Sequence, residues 1–241
     1  MSSSSPSPSI IMFKIEKSKN GYREGISRCL SQTLVYGIER RKTQLQIFGY
    51  TNKLSCASWT CGYLTSGCTA GIVYTTYFTI YNNLMNSQNS LLATFATVIA
   101  GIITSFIKIP IGNSMRILQS GKVNNILSAG KILYKEKGFL NLYKGYRISL
   151  IEDIIEMDIR LRLYNYISNK LDKKDNILLQ TMIGSISGSF ASGITTPFDT
   201  IRSRMIYNKP LSIMGLYNGV QYRTLSNAVK GATFFLFYEI L

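Results

Sequence analysis

Two places in this sequence carry charge in a pattern that asks for chemistry. In "TTPFDTIRSRM", Thr195 to Met205, an acid and a base, Asp199 and Arg202, stand three residues apart just past Pro197. They follow 23 residues without a charge, Asn176 to Phe198. At Glu152-Asp153 two carboxylates are adjacent. Such groups can pair as ions across helices or receive a cation. There is no histidine in the 241 residues, which excludes Ser-His-Asp and Cys-His nucleophile pairs, histidine general bases and histidine metal ligands. Cys29, Cys56, Cys61 and Cys68 show no CxxC spacing, so they read as free thiols in a reducing setting and not as a zinc site. The chain reads as a non-enzyme with no cofactor and no metal.

The elements that must hold these charges are membrane helices. A net charge of +15 points to an anionic partner, nucleic acid or a lipid surface. Its distribution decides between them. From Leu54 to Ile107 there are 54 residues without a charge, split by the polar "NNLMNSQNS" at 82–90. One crossing needs about 20 apolar residues, so this run holds two, the clearer being 91–107. With 176–198 they make a soluble core or a basic RNA-binding helical protein a poor fit. Weaker spans are expected at 24–47, 146–168 and 219–241. The segment 146–168 is acceptable only beside a hydrated cavity, since a charge at mid-bilayer costs ~2.5–3.5 kcal/mol unless it faces protein or water. Glu152, Glu156 and Arg160 share one helix face, but Asp158 and Arg162 lie away from it. The connection between the 91–119 and 146–168 spans carries seven bases, Arg116 among them, against Glu136 alone, whereas 83–90 is uncharged. Basic loops on one side fit helices crossing back and forth.

The chain also repeats. Gly62, Gly145 and Gly219 are each followed 19 residues later by Tyr81, Tyr164 and Tyr238. Upstream of each glycine, "GIERRKTQLQ" (37–46), "PIGNSMRILQ" (110–119) and "PFDTIRSRMI" (197–206) align without gaps. These elements resemble the signature of the mitochondrial carrier family: proline, any residue, acid, two residues, base, three times over. "PFDTIRSR" matches in full, "GIERRK" has glycine for proline, and "PIGNSM" keeps only the proline, with Gly112 and Met115 in the charged positions.

The resemblance implies an all-α membrane protein of six transmembrane helices in three repeats, forming a pseudo-threefold barrel with both termini on one side. The repeats are placed at 21–90, 91–172 and 173–241, after a low-complexity, disordered tail at 1–20 that lacks a transit peptide's Arg-rich pattern. It further implies alternating-access transport of a small metabolite across the mitochondrial inner membrane or another organelle membrane, by a monomer, with no nucleic acid involved. The gate residues implied are Glu39, Lys42, Asp199 and Arg202, with Asp199 pairing Lys42, supported by Gln46 and Gln119. Solute contacts are implied at Thr69 with Ala70, Glu152 with Asp153, and Ser226 with Asn227, seven residues past each glycine, and at Arg223. Tyr143, Lys144 and Gly145 resemble a cardiolipin-binding element, or form a plain surface turn. "GSISG" (184–188) offers a GxxxG face for close helix approach.

Within the family, "LYKGYRISLIEDI" (142–154) and "LYNGVQYR" (216–223), with Arg223, resemble S-adenosylmethionine carriers, and iron carriers share parts of both. That solute's sulfonium and ammonium suit carboxylates and aromatic rings. Other readings stay open: another cationic or amino-acid-like solute, a metal ion, or a divergent non-transporting scaffold. Glu152 and Asp153 could equally pair with Arg or Lys across the bundle. With Gly112 and Met115 uncharged, one gate pair of three is expected to survive.

Overall fold

Glycines and prolines set where the helices of this chain begin, bend and stop. The computed structural model describes residues 21–51, 56–85, 95–171 and 177–240. Among these residues the regular elements are helical throughout. Helix α1, Tyr22–Phe48, follows Gly21 at φ 63° and ends at Gly49 at φ 77°, whose N–H returns to the Leu45 carbonyl. Glycine takes such left-handed values without strain. Helix α2 is Cys56–Met85 and α3 is Ala96–Ser120. A short helix α4, Ile126–Lys137, starts where the Asn125 side chain accepts from the Ser128 N–H, and a 3-10 turn, Phe139–Tyr143, follows. Then come α5, Tyr146–Leu171, α6, Ile177–Ile194, α7, Thr196–Ile206, and α8, Val220–Ile240. The expected tail at 1–20 and most of the polar connection at 82–90 lie outside the described residues, as do the side chains of Cys56, Cys61 and Tyr238.

The two prolines act differently. Pro110 sits inside a continuous α3, where it withholds the hydrogen bond due to the Phe106 carbonyl. The Tyr143 hydroxyl donates to that carbonyl at 3.1 Å and makes good the loss. Pro197 instead falls in the first turn of α7, after a one-residue break at Thr195. There its missing N–H is not needed. The chain breaks there and restarts as a new helix.

Helix α1 packs against α2 and α8, α2 against α3, α5 against α6, and α6 against α8. From α3, Asn113 donates to the Leu142 and Lys144 carbonyls of the segment before α5, at 2.8 and 2.9 Å, and Lys108 meets Asp153 of α5 at 2.6 Å. Polarity is inverted relative to a soluble bundle. Glu24, Arg40, Gln44, Asp199, Arg202 and Arg223 are buried, while Val98, Phe106, Leu64, Ile72, Ile154 and Phe190 are each more than half exposed. Large exposed apolar bands mark a surface meant for something other than water. Among the described residues one segment, Val98–Ser120 in α3, is by itself long and apolar enough to cross a membrane.

The GxxxG face did not prove to be the closest helix approach. A Cβ on Gly184 would meet nothing within 4 Å, and one on Gly188 would meet the Arg160 guanidinium at 3.3 Å. The tight contact joins α1 to α2, where a Cβ on Gly25 would lie 3.0 Å from the Gly71 carbonyl oxygen.

Candidate functional site

The break at Thr195 aims the first turn of α7 into the bundle, and Asp199 ends up buried at its centre. Its carboxylate meets Lys42 of α1 at 2.9 Å, Arg116 of α3 at 2.5 Å and Arg223 of α8 at 3.0 Å. Gln46 adds an amide hydrogen bond at 2.9 Å. Arg223 also meets Glu152 at 2.7 Å and Glu156 at 2.8 Å, both on α5. Glu156 in turn meets Arg160 at 2.8 Å, one turn on. One contiguous set of charges therefore ties α1, α3, α5, α7 and α8 together. Low local dielectric makes each such pair strong and each unpaired member costly.

Beside this cluster lies a cavity of about 300 Å³, at the small end of the range for ligand pockets. Thr69 and Ala70 line it, as do Glu152 and Asp153, with Arg28 stacked over the Tyr74 ring at 4.6 Å on one wall. The two adjacent carboxylates differ. Glu152 is 6% exposed and bound to Arg223, whereas the Asp153 side chain is 46% exposed and pairs with Lys108 at 2.6 Å. Of the solute contacts implied by resemblance, four line the cavity. Arg223, Ser226 and Asn227 do not. Arg223 belongs to the ion cluster, and the Ser226 hydroxyl donates to Glu39 at 3.3 Å.

The four gate positions separate as well. Lys42 and Asp199 meet directly. Glu39 instead meets Lys230 of α8 at 2.7 Å and accepts from the Gln32 amide. Arg202 donates to Ser149 at 2.8 Å and to Asn113 at 3.0 Å. Gln46 bridges Asp199 and Ser203, and Gln119 accepts from Thr43 at 2.7 Å. Arg116, read in the sequence as a loop base, lies inside α3 and reaches Asp199. Among the four gate positions Lys42–Asp199 is the one ion pair in the described residues, and Arg116 and Arg223 bring two further cations to Asp199. Arg116 is one residue past the family's position, and that offset was the signal for it. Lys230, Glu156 and Arg160 were visible only as charges inside weak spans.

The Tyr143-Lys144-Gly145 element sits at the start of α5. Gly145 takes φ 78° and Tyr143 is committed to the Phe106 carbonyl. Lys144 donates to the Asn208 side chain, and burial together with the nearby Lys137 holds its pKa below the ordinary lysine value.

Known proteins resemble this chain. The family model described as "Mitochondrial carrier protein" matches residues 84–175. The chain is 25% identical over 219 residues, 82% of its length, to "S-adenosylmethionine carrier 1, chloroplastic/mitochondrial" of Arabidopsis thaliana. It is 26% identical over 172 residues, 61% of its length, to "Mitochondrial substrate carrier family protein A" of Dictyostelium discoideum. It is 24% identical over 139 residues, 56% of its length, to "Probable S-adenosylmethionine carrier 2, chloroplastic" of Arabidopsis thaliana. The matched regions span 65%, 53% and 38% of those relatives, in that order.

Proposed function

We propose that this chain, which resembles mitochondrial carriers, moves a small solute across an organelle membrane by alternating access. The observation that carries the reading is the inverted polarity: a charged cavity enclosed by helices whose outer faces are apolar. A bilayer-embedded bundle buries polar groups and exposes apolar ones, and a central polar cavity is where such proteins bind their cargo. The six long helical segments are read as six crossings in three repeats around a pseudo-threefold axis, with α6 and α7 together forming one crossing. The ion cluster around Asp199 closes one end. Opening that end requires Lys42, Arg116 and Arg223 to part from Asp199.

S-adenosylmethionine is the solute proposed, because two of the relatives bear that name. Asp153, open to the cavity, suits its cationic end. Glu152, held by Arg223, takes the assembly role instead. The membrane is the mitochondrial inner membrane or its plastid counterpart. An anionic lipid phosphate, such as cardiolipin's, is placed at the first-turn N–H groups of α5 after Gly145, since the Tyr143 and Lys144 side chains already have protein partners.

The test is uptake of labelled S-adenosylmethionine into liposomes carrying the purified chain, with amino acids, nucleotides and metal ions as competitors. Saturable uptake above protein-free liposomes is expected. Uptake of none of these solutes, with correctly inserted protein, overturns the transport reading.

A further inference from the structure

Six cationic side chains line the cavity: Arg28, Lys42, Lys108, Arg116, Arg202 and Lys230. Most have a carboxylate. Lys230 has Glu39, Lys108 has Asp153, and Lys42 and Arg116 share Asp199. Glu152 also lines the cavity, but its ion pair is with Arg223, outside the lining. Among the described residues no ion pair is formed by Arg202, which is 5% exposed. Its guanidinium donates only to neutral partners, the Ser149 hydroxyl and the Asn113 amide oxygen, and its Nε is enclosed without a hydrogen-bond partner. A buried cation held by neutral groups alone is costly to keep.

The reason lies in repeat 2. Gly112, where the family signature would place an acid, brings a bare backbone to the guanidinium. A Cβ built there would lie 3.5 Å from Arg202 Nη2. Both residues line the cavity. The chain thus offers no carboxylate from repeat 2 to a buried arginine that lines the site where solute is proposed to bind.

We infer that Arg202, over the backbone of Gly112, is the receptor for an anionic group carried by the solute. An oxyanion, carboxylate or phosphate, matches the planar fork of a guanidinium and supplies the charge that repeat 2 omits. This rests on the transport reading and adds to it. The solute is one with an oxyanion at one end, and for S-adenosylmethionine that end is its carboxylate. Arg202 takes the oxyanion while Asp153 faces the sulfonium.

The experiment measures ligand-induced thermal stabilisation of the full chain in detergent. Probes are pairs differing in an oxyanion: S-adenosylmethionine against its decarboxylated analogue, and adenosine monophosphate against adenosine, with inorganic phosphate alone as a third arm. In the wild-type chain the oxyanion member of a binding pair is expected to bind at least tenfold more tightly. Gly112→Asp supplies a protein carboxylate beside the guanidinium, and the difference should then shrink to less than twofold. Arg202→Gln removes the charge while keeping polar contacts to Ser149 and Asn113, and should also erase the difference. If only one variant folds, that one decides. The inference is overturned if neither pair shows a difference in the wild type, if the difference survives in the folded variant, or if only free phosphate binds. A difference in the adenosine monophosphate pair alone supports the receptor and overturns the proposed solute. Uptake of S-adenosylmethionine with equal affinity for the decarboxylated analogue does the reverse.

Discussion

Asp199 is one carboxylate with three cations, and that imbalance fixes how single substitutions should behave. Removing its charge as Asp199→Asn leaves Lys42, Arg116 and Arg223 facing one another with only Glu152 and Glu156 to compensate. Breaking a buried network on its minority side typically costs about 3–5 kcal/mol. Lys42→Gln removes one cation of three, and a charge-assisted hydrogen bond is worth roughly 1.5–3 kcal/mol, with relief of cation–cation repulsion offsetting part of it. Thermal unfolding of the solubilised chain should rank Asp199→Asn well below Lys42→Gln, and equal losses would show that Arg116 and Arg223 contribute nothing. Exchanging the charges, Lys42→Asp with Asp199→Lys, should not restore stability. The new lysine would still face Arg116 and Arg223, so coupling in this cluster is not pairwise.

Helix packing depends on glycine at a few positions, and these were only partly legible. Three-residue and four-residue spacing marked "GSISG" as a close-approach face, but spacing alone does not say which way a helix is turned. Gly184 faces open space, and the approach is at Gly25 and Gly71 instead, where α1 and α2 meet. Gly25→Leu should therefore force α1 from α2 and lower the unfolding temperature sharply, since its Cβ would lie 1.9 Å from Thr75 Oγ1 and 3.0 Å from a backbone oxygen. Gly101→Leu, with nothing within 4 Å of its Cβ, should change the temperature little. A comparable drop in both variants would deny the α1–α2 contact its special role. The sequence left Asp158 and Arg162 without an account, because a helical wheel sets them off the inward face of α5. They pair with each other at 2.9 Å on the outside, 58% and 80% exposed. If α5 crosses the membrane, that pair is held against lipid at a cost of up to ~2.5–3.5 kcal/mol per charge on insertion scales. Replacing both with leucine should leave stability in a bilayer unchanged or higher, and replacing one alone should lower it. A double variant less stable than both single variants would mean that the pair meets water or another polar surface.

At the scale of the molecule, the proposed function asks the same charges both to hold helices together and to recognise a solute. The family resemblance implied the pairing of Lys42 with Asp199, 157 residues apart. It missed Arg116 because a one-residue offset from the signature cannot be judged without knowing the direction of the side chain. The adjacent pair Glu152-Asp153 was legible as a pair of acids and not as two different roles, since neighbouring residues on a helix point about 100° apart. Both line the cavity, but the structure gives them different partners, Arg223 for Glu152 and Lys108 for Asp153. Substituting each amide in turn should separate assembly from recognition. Glu152→Gln breaks a buried pair among groups already short of negative charge, so the unfolding temperature should fall, with uptake declining only as folded protein is lost. Asp153→Asn removes a half-exposed charge whose pair with Lys108 contributes ~0–1 kcal/mol, so the fold should be unaffected. Its loss should appear in the solute: weaker apparent affinity for S-adenosylmethionine, about tenfold for each 1.4 kcal/mol, and a smaller loss for S-adenosylhomocysteine, which lacks the sulfonium charge. Competition uptake at equal protein insertion, read beside thermal unfolding of the same preparations, measures both. If Asp153→Asn weakens the two ligands equally, the carboxylate does not read the sulfonium. If Glu152→Gln lowers affinity without lowering stability, the buried acid is a solute contact after all and the division of roles between the two neighbours is wrong.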